Sequence, residues 1–160
     1  MASIKSPYLE NGARLADVIA AIQVMGAYPW ASREVSSWAS KLGEPVSADG
    51  WHEVFREHPE FFRLNGEWAS LRWRHGYDRS FDAERGIELA RDAREALSER
   101  AQQALTRRPL SADQIETLLK TAVELHTRAI AQAQEQRWLW PSLFGIAGVL
   151  LGVVLKAALR

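Results

Sequence analysis

A mainly α-helical fold ending in an apolar span is predicted, and three observations predict it. Apolar side chains recur at helical spacing in three short stretches before residue 60. Two alternating runs flank Asn65-Gly66 and read as a β-hairpin. From Trp138 to Leu155 no charged side chain occurs. The pattern divides the chain into a head over 1–79, a helical connector over 80–110, a stalk helix over 111–137 and a transmembrane anchor over 138–159.

In the head, Asn11 can cap a first helix whose Leu15, Val18, Ile19 and Ile22 fall at i, i+3, i+4 and i+7, one apolar stripe. Gly26 through Pro29 end it. Ser32 is placed to cap a second helix with Val35, Trp38, Ala39 and Leu42 at the same spacing, closed by Gly43 and Pro45. A third follows Ser47 or Asp49, with Trp51, Val54, Phe55 and His58 on one face and Pro59 as its stop. Next comes the hairpin, with Asn65-Gly66 expected at the turn. A two-residue loop there sets Leu64 opposite Glu67, Arg63 opposite Trp68 and Phe62 opposite Ala69. Phe62, Leu64, Ala69, Leu71 and Trp73 then face the helices, and Arg63, Trp68, Arg72 and Arg74 face away. Three helices followed by a hairpin is the order of a winged helix.

Residues 82–106 are rich in Ala, Glu and Arg and read as helix, with Ser98 able to cap a second piece. Thr106-Arg107-Arg108-Pro109 reads as a break. Ser111 and Gln114 then have the spacing of a capping box that starts a long helix. Its Ile115, Leu118, Ala122, Leu125 and Ala129 form a seam that suits either a coiled coil or packing back on the head.

The eighteen positions from Trp138 to Leu155 make roughly 27 Å of helix, close to the ~30 Å of a bilayer core. Trp138 and Trp140 at one end and Lys156 at the other suit the two membrane interfaces. Gly145, Gly148 and Gly152 offer a small-residue face for helix–helix packing in lipid, so a homo-oligomer is expected through stalk and span. The N-terminal Met1 to Asn11 has no apolar run of signal-peptide length, so the anchor is expected to leave the head in the cytoplasm.

Composition narrows the function. Eighteen of the twenty basic residues and all twenty acidic ones precede Trp138, leaving the water-soluble part at −2. Nucleic-acid binders normally carry a basic excess, and the third helix would present Asp49, Glu53 and Glu57 with only Arg56 to oppose them. There is no Cys, no phosphate-cradling glycine loop and no nucleophile elbow. His52-Glu53 opens like a zinc-protease box, but position 56 is Arg where the second His is needed. No enzyme, metal or cofactor is expected. What stands out is the outer hairpin face, where Arg63, Trp68, Arg72 and Arg74 form a basic, aromatic surface. It suits either a solvated or covered strand face or a docking site for an acidic partner, anionic lipid or a nucleic-acid backbone.

Three segments carry a likeness. Arg14-Leu-Ala-Asp-Val-Ile-Ala-Ala-Ile-Gln23, Glu57-His-Pro-Glu-Phe-Phe-Arg-Leu64 and Ala69-Ser-Leu-Arg-Trp-Arg74 resemble a family of short bacterial proteins frequent in cyanobacteria, whose members also have Pro-Leu before a long helix and a terminal apolar span. The resemblance implies a bacterial inner membrane as the location and brings no activity. Some members carry an N-carbamoyl-amino-acid amidohydrolase name. It implies a two-metal hydrolase, for which this chain lacks the length and the His, Asp and Glu ligands. The expected function is that of a tail-anchored interaction or scaffold protein, with a membrane-tethered DNA-binding regulator as the alternative.

Overall fold

The structure, a computed structural model, describes residues 6–134. They fall in two compact units divided between Val123 and Glu124. The first unit takes in the expected head, the connector and the first turns of the stalk. The fold is mixed α/β, because two small sheets stand where one hairpin was expected.

A 3-10 turn, Pro7–Leu9, precedes helix α1, Arg14–Ala27. Strand β1, Ser32–Glu34, follows, then α2, Val35–Leu42, and α3, Trp51–Glu57. The hairpin is β2, Phe62–Asn65, with β3, Trp68–Leu71. Strand β1 was not foreseen: Ser32 lies in it instead of capping α2, whose N-cap is Glu34. It pairs antiparallel with the far side of β3, giving a sheet of order β1-β3-β2. Three residues without apolar alternation leave no strand signal in sequence, and the pairing comes from β3 beside them.

Trp38, Val54, Phe55, Phe62, Ile22 and Leu71 form the buried centre of this half. The Trp38 indole donates to the Ala69 carbonyl at 3.0 Å, so even its one polar group is satisfied. On α3 the expected face is buried in full: Trp51, Val54, Phe55 and His58. The His58 Nδ1 is 3.0 Å from the Glu60 carboxylate, and its ring packs on that of Tyr8. On α1 the buried line is rotated from the apolar stripe. Val18 and Ile22 are in it with Ala21, Met25 and Gly26, Leu15 and Ile19 are only half-buried, and the polar Arg14 and Asp17 also point inward.

Those two polar residues organise the loop between α2 and α3. Asp17 accepts from the Val46 and Ser47 amides at 3.1 and 2.8 Å and from the Ser47 hydroxyl at 2.5 Å. Arg14 donates to the Ser47 carbonyl at 3.3 Å and reaches Glu53 and Glu57 at 3.3 and 3.2 Å. Bonded by both residues, Ser47 fixes the loop instead of capping α3, whose N-cap is Gly50.

The connector departs from the helical expectation. Strand β4, Arg79–Asp82, turns back into β5, Ile87–Glu88. Two short helices follow, α4, Arg91–Glu95, and α5, Glu99–Ala104, then strand β6, Thr106–Arg107. The second sheet has order β5-β4-β6. Asp82 causes the reversal, its carboxylate accepting from the Glu84 and Arg85 amides at 3.0 and 3.1 Å. Ser98 does cap α5, accepting from the Ala101 amide.

Residues 112–134 are helical, here α6. Its capping box forms as read: the Ser111 amide donates to Gln114 Oε1 at 2.9 Å, and the Gln114 amide to Ser111 Oγ at 3.3 Å. Within the first unit the start of α6 packs back on the head. A Cβ on Gly26 of α1 would come within 2.9 Å of Ile115 Cγ1, and the Leu110 amide donates to the Gly26 carbonyl at 2.9 Å. In the second unit residues 124–134 are helical. Among the described residues no helix is long and apolar enough to cross a membrane. The anchor expected over 138–159, with Trp138, Trp140, Lys156, Gly145, Gly148 and Gly152, lies outside the described residues.

Candidate partner surface

The outer face of the first sheet is set by the hairpin register. Arg63 pairs with Ser70, Leu64 with Ala69 and Asn65 with Trp68. The loop is therefore Gly66-Glu67, one step beyond the expected Asn65-Gly66. Gly66 has φ +57°, and among the described residues no non-glycine residue has positive φ. That is the pattern of a type II′ turn, which needs glycine first, whereas Asn-Gly would have required Asn65 in the left-handed region. Each residue's partner moves by two, an even shift, so faces are preserved: Phe62, Leu64, Ala69 and Leu71 inward, Arg63 and Trp68 outward. Arg63 does not stand opposite Trp68.

Trp68 is 51% exposed, beside Glu34 of β1 on one side and Asn65 on the other. Arg63 and Arg72 are exposed. Arg72 is steadied by its Nε donating to the Pro59 carbonyl at 2.7 Å. His75 lies among them: its Nε2 is 2.8 Å from Ser70 Oγ and its Nδ1 3.3 Å from Arg63. Burial, and then the charges of Arg107, Arg63 and Arg72, hold the His75 imidazole below its ordinary range. Burial, then Arg79 and Arg63, likewise lower Arg107. Among the described residues neither Arg63 nor Arg72 forms an ion pair, and Glu34 stands beside Trp68 on β1.

Arg74 does not belong to this surface. Strand β3 ends at Leu71, Arg72 is already in the helical region, and Trp73–Gly76 form a 3-10 turn. The turn breaks the two-residue alternation. Trp73, expected inside, is 38% exposed, while Arg74 is fully buried. Its Nη1 donates to the carbonyls of Met25, Tyr28 and Trp30 at 3.0, 2.6 and 3.4 Å. Its Nη2 donates to those of Pro29 and Arg107 at 2.9 and 2.5 Å. Burial, then Arg107, pushes its pKa down to about 10, and the guanidinium stays charged at neutral pH. Arg74 is the clasp that ties the end of α1 and the following loop to β6. Nothing in the local sequence distinguishes it from Arg72. The only signal is Gly76, which marks a turn where a longer strand was read.

The other face weighed in sequence is α3, which has seven residues. Glu53 and Glu57 are turned onto Arg14, leaving His52 and Arg56 exposed. Two turns with two such side chains make a poor probe of a major groove. Among the described residues no three His, Cys, Asp or Glu are grouped to hold a metal. No protein-family profile, curated protein or solved structure matches the chain.

Proposed function

We propose that the chain is a membrane-anchored interaction module with a winged-helix head. The outer sheet face, with Arg63, Trp68 and Arg72, holds a protein partner. One observation carries the reading: on one face of the sheet a tryptophan exposed over half its surface sits with the exposed Arg63 and Arg72. Tryptophan and arginine are the residues on which interfaces most often concentrate their binding energy. The winged-helix element of the proposal rests on the element order α1-β1-α2-α3-β2-β3, with β1 against the outer side of β3. The membrane element rests on the uncharged run from Trp138 to Leu155. That run leaves the head on the cytoplasmic side of a bacterial inner membrane, and homo-oligomers form through the stalk and the glycines of the span.

The test is the triple variant Arg63→Ala, Trp68→Ala, Arg72→Ala in the full chain. Exposed positions contribute within about 0.5 kcal/mol each to stability, so the head should melt close to the unaltered protein. Recovery of the co-purifying partner from native membranes should fall about tenfold or more. Unchanged recovery would reject this face. A salt-sensitive shift of random duplex DNA that disappears in the same variant would favour a DNA-binding regulator instead.

A further inference from the structure

We propose that the cleft between β4, α4 and α5 binds a phosphate-bearing ligand and that Arg94 is its anchor. The cleft encloses about 300 Å³ and is lined by Arg79, Arg91, Arg94, Glu95, Gln102 and Leu105. That is the lower end of the range for small-molecule sites. Three guanidinium groups face one carboxylate. Most of these polar groups are already engaged. Arg79 donates to the Leu105 and Gln103 carbonyls at 2.9 and 2.6 Å, and Arg91 to Glu95 at 2.8 Å. The Gln102 amide donates to the Arg94 and Leu97 carbonyls, both at 3.1 Å. These bonds build the frame: the charge of Arg91 is met by Glu95, while Arg79 is held by neutral carbonyls.

Arg94 Nε is closed off from solvent and has no hydrogen-bond partner, and among the described residues no carboxylate pairs with its guanidinium. A buried, unmatched donor on a charged group is costly, and an anion in the cleft would satisfy it. The planar fork suits two oxygens of one phosphate, with Arg79 adding charge from the side. Arg91 and Arg94 also line a neighbouring cleft of about 520 Å³, in which Arg108 lies 4.1 Å over the Tyr77 ring. The rest of a phosphate ester has room there. Its acids are Asp78 and Glu88, the latter accepting from the Ser80 hydroxyl at 2.8 Å. The anionic end therefore belongs in the smaller cleft.

The phosphate can come from a soluble ester or from a lipid headgroup, and the experiment separates the two. The full chain, ¹⁵N-labelled in neutral detergent micelles, is titrated with glycerol phosphate against chloride at matched ionic strength. Saturable amide shifts are expected around Arg79, Arg94 and Gln102. Arg94→Gln should weaken them about tenfold or more, and Arg94→Lys less, since charge survives and the fork does not. Arg85→Gln, which alters an exposed arginine paired with Asp82, should change nothing. If glycerol phosphate is silent and phosphatidic acid doped into the micelles gives the same Arg94-dependent shifts, the ligand is a headgroup. Silence in both arms, or shifts that persist in Arg94→Gln, would overturn the proposal.

Discussion

Two arginines at adjacent turns of the sequence have opposite fates, and the difference lies in the backbone that carries them. Arg72 closes the strand and stays in solvent. Arg74, two residues on, is carried inward by the 3-10 turn and meets five carbonyls. Removing one side of such a buried, hydrogen-bonded charge site costs about 3–5 kcal/mol. Arg74→Met should therefore destabilise the head by about that much, and Arg74→Lys should recover only part, because a point charge cannot serve five acceptors in a fixed fork. Urea melts of the two variants beside Arg72→Met check this, and equal midpoints for the Arg72 and Arg74 variants would refute the clasp. His75 gives the pH dependence at this scale. Its folded pKa is depressed, so the unfolded chain binds the proton more readily. The stability it contributes is present above about 6.5 and is lost as pH falls through the lower, folded value. The imidazole resonances of His75 should titrate below those of an unfolded histidine, and Arg63→Gln should move them back upward.

The elements record which signals in a sequence are local. Some capping residues and apolar faces were legible: Ser111 with Gln114, Ser98 on α5, and Trp51, Val54 and Phe55 on α3 stand where their spacing put them. Ser32 and Ser47, in contrast, were drawn away by β3 and by Asp17, and the α1 stripe is rotated by the buried Arg14 and Asp17. The hairpin faces were legible because alternation survives an even register shift; the turn itself was not, because the choice between Asn65-Gly66 and Gly66-Glu67 depends on which residue takes positive φ. Strand β1 and the second sheet were hidden for another reason. Their strands have two to four residues, and β1 and β6 pair with strands distant in sequence, β3 and β4; only the β4–β5 turn is local. Of the expected partner surface, Arg63, Trp68 and Arg72 are exposed together and Arg74 is not. The packing of α6 on α1 gives a sharper test of an element contact. Gly26→Ala would push a methyl to 2.9 Å from Ile115 Cγ1, an overpacking expected to cost about 1–3 kcal/mol. Ile115→Ala added to it should restore part of the loss, giving a coupling of opposite sign in a double-mutant cycle. Strict additivity would show that the two helices do not meet there.

For the whole molecule, position and partner are separate claims with separate readouts. Deleting residues 138–160 should turn a membrane-pelleting protein into one that stays in the supernatant, with its near-ultraviolet spectrum kept, since the buried centre of the head closes without that segment. Replacing Gly148 and Gly152 by Leu should keep the protein in the pellet and weaken detergent-resistant crosslinking by blocking close helix approach. An oligomer that survives both replacements would place self-association in the stalk or head. The central claim is that the outer sheet face is where a partner sits, and site-specific photocrosslinking in native membranes tests it most directly. A photoreactive residue is placed at Trp68, at Arg72, and, as a control, at Val46, which is 76% exposed on the loop between α2 and α3. The account expects one discrete adduct of the same mass from the first two positions and none from the third. Adducts of equal yield from Val46, or none from Trp68 and Arg72, would contradict it.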